Sequence, residues 1–64
     1  MSRFPHFYGV DFRNADLSGL DLRDAYFEKC YMTRVDLSFA KLNGAVFEEG
    51  TDLSGANFSR ADLS

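Results

Sequence analysis

Ala15-Asp16-Leu17-Ser18-Gly19, followed at once by Leu20-Asp21-Leu22-Arg23-Asp24, contains two successive five-residue units, each with an apolar residue in third place and a small or apolar one in first. The same frame extends in both directions. From Pro5 the third places are Phe7, Phe12, Leu17, Leu22, Phe27, Met32, Leu37, Leu42 and Phe47, and after one extra residue they resume as Leu53, Phe58 and Leu63. All twelve are large and apolar, so they form the expected structural core. Residues 1–64 are read as one repeat domain, with units at 5–49 and 51–64 and a one-residue insertion at Gly50. Units repeated at so short a period bury their apolar face only by stacking on their neighbours.

The first places hold Pro5, Val10, Ala15, Leu20, Ala25, Cys30, Val35, Ala40, Ala45, Thr51, Ala56 and Ala61. Residues two apart in an extended segment point to the same side, so the first and third places face one core and the second faces water. Those second places are His6, Asp11, Asp16, Asp21, Tyr26, Tyr31, Asp36, Lys41, Val46, Asp52, Asn57 and Asp62. Places four and five hold turn formers such as Ser18-Gly19, Asn43-Gly44 and Ser54-Gly55, whose side chains tolerate positive φ or bond nearby backbone. A helix is excluded, because five residues advance about 140° beyond a full turn and would scatter the large residues around the axis. Three extended residues and a two-residue corner, repeated, predict an all-β coiled ribbon, a β-solenoid.

Ala15-Asp16-Leu17-Ser18-Gly19, Ala56-Asn57-Phe58-Ser59-Arg60 and Ala61-Asp62-Leu63-Ser64 resemble the A(D/N)LXX unit of pentapeptide-repeat proteins, and the pattern covers residues 5–64. The resemblance implies a right-handed quadrilateral β-helix with four pentapeptides per coil, hence about three coils. Residues twenty apart would then stack, giving a column of Phe7, Phe27 and Phe47.

Length and composition bound the function. A chain of 64 residues is near the lower limit for a core without disulfide or metal. Seven cations against ten carboxylates give a net charge of -3 without a basic patch, so direct nucleic-acid binding is not expected. No apolar stretch is long enough to span a membrane and no signal region follows Met1, so no membrane insertion and a cytoplasmic location are expected. Cys30 is the only cysteine and leaves no intramolecular disulfide.

Catalysis needs converging groups of different chemistry. His6 is placed outward and Cys30 inward, so neither is assigned a catalytic or metal role, no cofactor is implied, and the chain is not expected to be an enzyme. Asp16, Asp36 and Asn57 would line up on one side, where bonding to turn amides is favoured over a cation site. Glu48, Glu49 and Gly50 are expected to protrude as a small bulge at the insertion.

The functional signal is aromatic. Tyr8, Tyr26, Tyr31 and Val46 stand where small polar residues are expected, and the four-unit coil would gather them into a candidate protein interface. Phe39 falls on a different face and is read as incidental. Together these features predict a non-enzymatic protein-protein interaction or structural module, docking on a larger assembly or self-associating through open coil ends. The alternative, implied by the resemblance, is a DNA-mimicking binder of DNA gyrase or topoisomerase. Short length, mixed charge and the missing C-terminal helix speak against it.

Overall fold

Every unit runs extended through its apolar places and then turns through a left-handed residue. In the computed structural model, which describes residues 5–64, eleven residues have positive φ. They are Gly9, Asn14, Gly19, Asp24, Lys29, Arg34, Phe39, Gly44, Gly50, Gly55 and Arg60, one for each corner between units. Only glycine adopts this conformation freely.

Three strands, β1 (His6–Tyr8), β2 (Tyr26–Glu28) and β3 (Val46–Phe47), form a parallel sheet in the order β1-β2-β3. The register pairs His6 with Tyr26 and Tyr26 with Val46, and stacks Phe7 on Phe27 on Phe47. Three further ladders pair single residues in succession: Asp11 with Tyr31 and Tyr31 with Asp52, Asp16 with Asp36 and Asp36 with Asn57, and Asp21 with Lys41 and Lys41 with Asp62.

The sequence predicts a short strand in every unit, but only one side has them. Elsewhere the amide after each corner bonds back to the third-place carbonyl, as in Ala15 N to Phe12 O at 2.9 Å, Ala25 N to Leu22 O at 3.0 Å and Val35 N to Met32 O at 3.1 Å. That turn begins at the large apolar residue and leaves one residue free to pair. On the β1–β2 side the chain stays extended through place four, and Gly9 N donates to Glu28 O at 2.9 Å.

Leu22, Ala25, Phe27, Cys30, Met32, Val35, Leu37, Ala40 and Leu42, all from the middle of the chain, form the fully buried core. Each large member contributes about 1.5–3 kcal/mol by leaving water. Phe27 lies between Phe7 (ring centroids 5.1 Å, planes 20° apart) and Phe47 (4.8 Å, 5°). Phe7, Phe12, Leu17, Phe47, Leu53 and Phe58 are only partly buried, because they are covered from one side of the stack. Leu63, which the repeat pattern assigns to the core, is 62 % exposed, and Leu20 in the inward column is exposed as well. The described strands cover neither residue from both sides.

The insertion shifts the pairing distance from 20 residues (Phe27 with Phe47) to 21 (Tyr31 with Asp52). Gly50, at φ 97°, occupies the left-handed corner. Thr51, the lone hydroxyl residue of the inward column, repairs the bonding there: its Oγ1 accepts from Cys30 N at 3.2 Å and donates to Phe27 O at 3.2 Å. A buried amide left without a partner costs about 1–3 kcal/mol.

Candidate protein-interaction face

Most outward carboxylates are committed to the backbone. Asp16 Oδ1 accepts from Ser18 N at 3.0 Å and Ser18 Oγ at 2.6 Å, and Asp36, Asp52 and Asp62 do the same with Ser38, Ser54 and Ser64. Asn57 accepts from Ser59 N at 2.9 Å. Asp11 and Asp21 instead hold Arg13 and Arg23, each in a two-pronged pair with distances of 2.7–2.9 Å. The side-chain bond from Arg13, aided by its amide, lowers Asp11 from 3.8 to about 2, and Arg23 acts likewise on Asp21. Hydroxyl and amide donors also lower Asp16, Asp52 and Asp62. The ladder of Asp16, Asp36 and Asn57 is therefore bonded to its own turns. Among the described residues, no group of three potential ligands could hold a metal ion.

The β1–β2–β3 side forgoes this device. Its second places are His6, Tyr26 and Val46, none able to cap the turn as aspartate does. The His6 ring meets Tyr26 edge-on at 4.8 Å, and His6 Nε2 lies 3.4 Å from Glu28 Oε1. The Tyr26 hydroxyl donates to Glu48, a bond that raises the tyrosine pKa above its ordinary value. Tyr26 is consequently half-buried and fixed in place, and Glu48 turns back onto the sheet instead of protruding with Glu49.

Tyr8 (61 %), Tyr31 (55 %) and Val46 (44 %) remain exposed. The ladder brings Tyr26 and Val46 together, while Tyr8 occupies the edge of β1 and Tyr31 the neighbouring ladder. Each exposed tyrosine carries a cation that the repeat pattern does not reveal. Lys29 Nζ lies 5.9 Å from the Tyr8 ring centre, and Arg13 Cζ lies 5.6 Å from that of Tyr31. Such contacts at exposed sites contribute about 0.5–1 kcal/mol, enough to orient a ring but not to cover it. Glu28 is the register partner of Tyr8, and Asp11 and Asp52 are those of Tyr31, so carboxylates as well as the two cations lie beside these rings.

His6 faces outward, while the Cys30 thiol is buried and donates to Phe7 O at 3.3 Å. The two are not oriented for joint chemistry.

Phe39 proves to be the most unusual corner. It is 61 % exposed at φ 61°, and Arg60 Cζ lies 5.9 Å from its ring centre. A left-handed L-residue costs about 1–2 kcal/mol, whereas the exposed cation contact returns about 0.5–1 kcal/mol. Stability therefore gives no reason for phenylalanine there. The sequence carries the signal, since Phe39 is the only apolar side chain among the eleven left-handed corners.

Among the described residues, no helix is long and apolar enough to cross a membrane. Comparison with protein families finds a match to pentapeptide repeats in eight copies, spanning residues 11–48 and 30–64. Neither the curated proteins nor the solved structures contain a match.

Proposed function

Because this chain belongs to the pentapeptide-repeat family, we propose that it is a non-enzymatic, cytoplasmic interaction module that docks on a larger protein assembly through Tyr8, Tyr26, Tyr31 and Val46. The body is read as a right-handed, four-sided β-helix of three coils. The 20-residue pairing offset, four units of five, supports that count.

One observation carries the functional reading: the side with the most continuous sheet replaces turn-capping aspartates by His6, Tyr26 and Val46 and leaves Tyr8 and Tyr31 exposed beside them. Tyrosines bury much area at low entropic cost and anchor interfaces in this way. The mechanism is presentation on a stiff scaffold. A contact along the coil axis is the second route to assembly, supported by the exposed Leu63 and the only partly buried Phe47 and Phe58.

The gyrase- or topoisomerase-binding alternative draws support from the carboxylates Glu28, Asp11 and Asp52 paired beside the same rings. It requires a partner surface that also holds DNA.

The test is crosslinking from a photoreactive residue at Val46, followed by quantitative binding of the recovered partner. A Tyr8→Ser/Tyr31→Ser double variant should stay folded, losing no more than about 1–2 kcal/mol from its two cation contacts, and bind at least about tenfold more weakly, the scale of a lost anchor. Unchanged affinity would refute the face, and competition by duplex DNA would shift the reading to mimicry.

A further inference from the structure

We propose that Phe39 and Arg60 form a second, independent docking point, one that inserts an aromatic ring into an apolar socket bordered by a carboxylate on a protein partner. Phe39 lies two corners further round the coil than Lys29, beside the Asp16–Asp36–Asn57 ladder, and so faces away from the tyrosine surface. Its conformation is the one L side chains adopt least readily, and nine of the other ten left-handed positions use glycine, asparagine, aspartate, lysine or arginine exposed to water; the tenth is the Arg60 that lies against it. The left-handed turn is common to every corner; what sets Phe39 apart is an exposed apolar ring whose cation contact returns less than its placement costs, and this points to a contact outside the chain.

The surroundings define the partner. Arg60 lies against the Phe39 ring on one side. The corner stacked on the opposite side is Gly19, which has no side chain to cover the ring, and the ring is left exposed. Arg13 and Arg23 are tied to Asp11 and Asp21, but among the described residues Arg60 has no ion-pair partner. A ring with one open side and an unneutralised guanidinium beside it matches an apolar cavity with an acidic rim. With the tyrosine face elsewhere on the coil, a second point lets one short scaffold bridge two proteins.

Carboxymethyl-β-cyclodextrin, an apolar cavity rimmed with carboxylates, is a direct probe of this chemistry, with neutral β-cyclodextrin as its control. NMR titration of the 64-residue chain should move the Phe39 ring and Arg60 side-chain resonances, and the anionic host should bind about threefold tighter, the scale of an exposed ion pair. Arg60→Gln should bring the anionic host down to the affinity of the neutral one. Phe39→Gly and Phe39→Asn should abolish the response while leaving the melting temperature unchanged or higher, since both relieve the left-handed strain. Equal affinity of the two hosts in the parent, or an equal response at Tyr8 and Tyr31, overturns the proposal. So does a melting temperature lowered by more than about 5 °C in both Phe39 variants, which would make the ring a structural staple.

Discussion

Replacing Phe27 by leucine tests the burial gradient along the stack more sharply than any disruptive change. Phe27 is fully buried and touches three aromatic rings, Phe7, Phe12 and Phe47, at centroid distances of 5.1, 6.0 and 4.8 Å. Each aromatic pair contributes about 0.5–1.5 kcal/mol beyond its buried area. Leucine keeps most of the hydrophobic transfer energy but loses the ring contacts and leaves a small void. The expected cost of Phe27→Leu is about 2–4 kcal/mol, a large share of the roughly 3–10 kcal/mol available to a chain of this length. Phe7 has two ring partners, Phe12 and Phe27, and is only partly buried. Phe7→Leu should cost about 1–2 kcal/mol. Thermal melting followed by circular dichroism should therefore show a fall of about 10–25 °C for Phe27→Leu and about 5–15 °C for Phe7→Leu, at about 4–8 °C per kcal/mol. Urea denaturation should give the same order. Equal losses at the two positions, or a larger one at Phe7, would refute the gradient and with it the stacking register.

Thr51→Val should lower stability by about 1–3 kcal/mol, because it removes the hydroxyl that serves both Cys30 N and Phe27 O; a melting temperature equal to the parent's would mean that the bulge repairs itself. Acid should destabilise the fold in a defined window. Asp11 and Asp21 are lowered from 3.8 to about 2, and Asp16, Asp52 and Asp62 are lowered too, so each binds protons less readily folded than unfolded. Their contribution is complete above the unfolded value and lost as pH falls through the folded one. The melting temperature should hold steady above about pH 5 and decline between about pH 4 and 2, and the part owed to Arg13 and Arg23 should shrink in about 1 M salt. A rise in melting temperature across that window would overturn the assignment.

The repeat by itself makes the core columns legible, since place one and place three follow from side-chain alternation alone. It also locates the turns, and glycine at corners such as Gly19 and Gly55 follows from their need for positive φ. Less of the site can be read. Whether Leu63 is covered depends on what stacks beside it, and a column assignment says nothing about that. The distinction between the β1–β2–β3 side and the other three rests on where an amide bonds, Gly9 to the next strand or Ala15 back to Phe12, and both units show similar residue patterns. Tyr26 reads as free as Tyr8 because the pattern gives direction but not reach: only the packed side chains bring the hydroxyl to Glu48. The cations over Tyr8, Tyr31 and Phe39 come from residues 18–21 positions away in sequence, beyond any local rule.

The change in pairing distance at Gly50 has a wider consequence. One extra residue in an α-helix would rotate everything after it by about 100°, and in a flat strand it would turn every later side chain to the opposite surface. Here Leu53, Phe58 and Leu63 keep the columns of Met32, Leu37 and Leu42 after the extra residue. Each left-handed corner acts as punctuation that resets the phase of the chain, so an error in length is confined to the corner where it occurs. A molecule built this way can take up an extra residue at a corner, as at Gly50, and keep the message of every later unit intact.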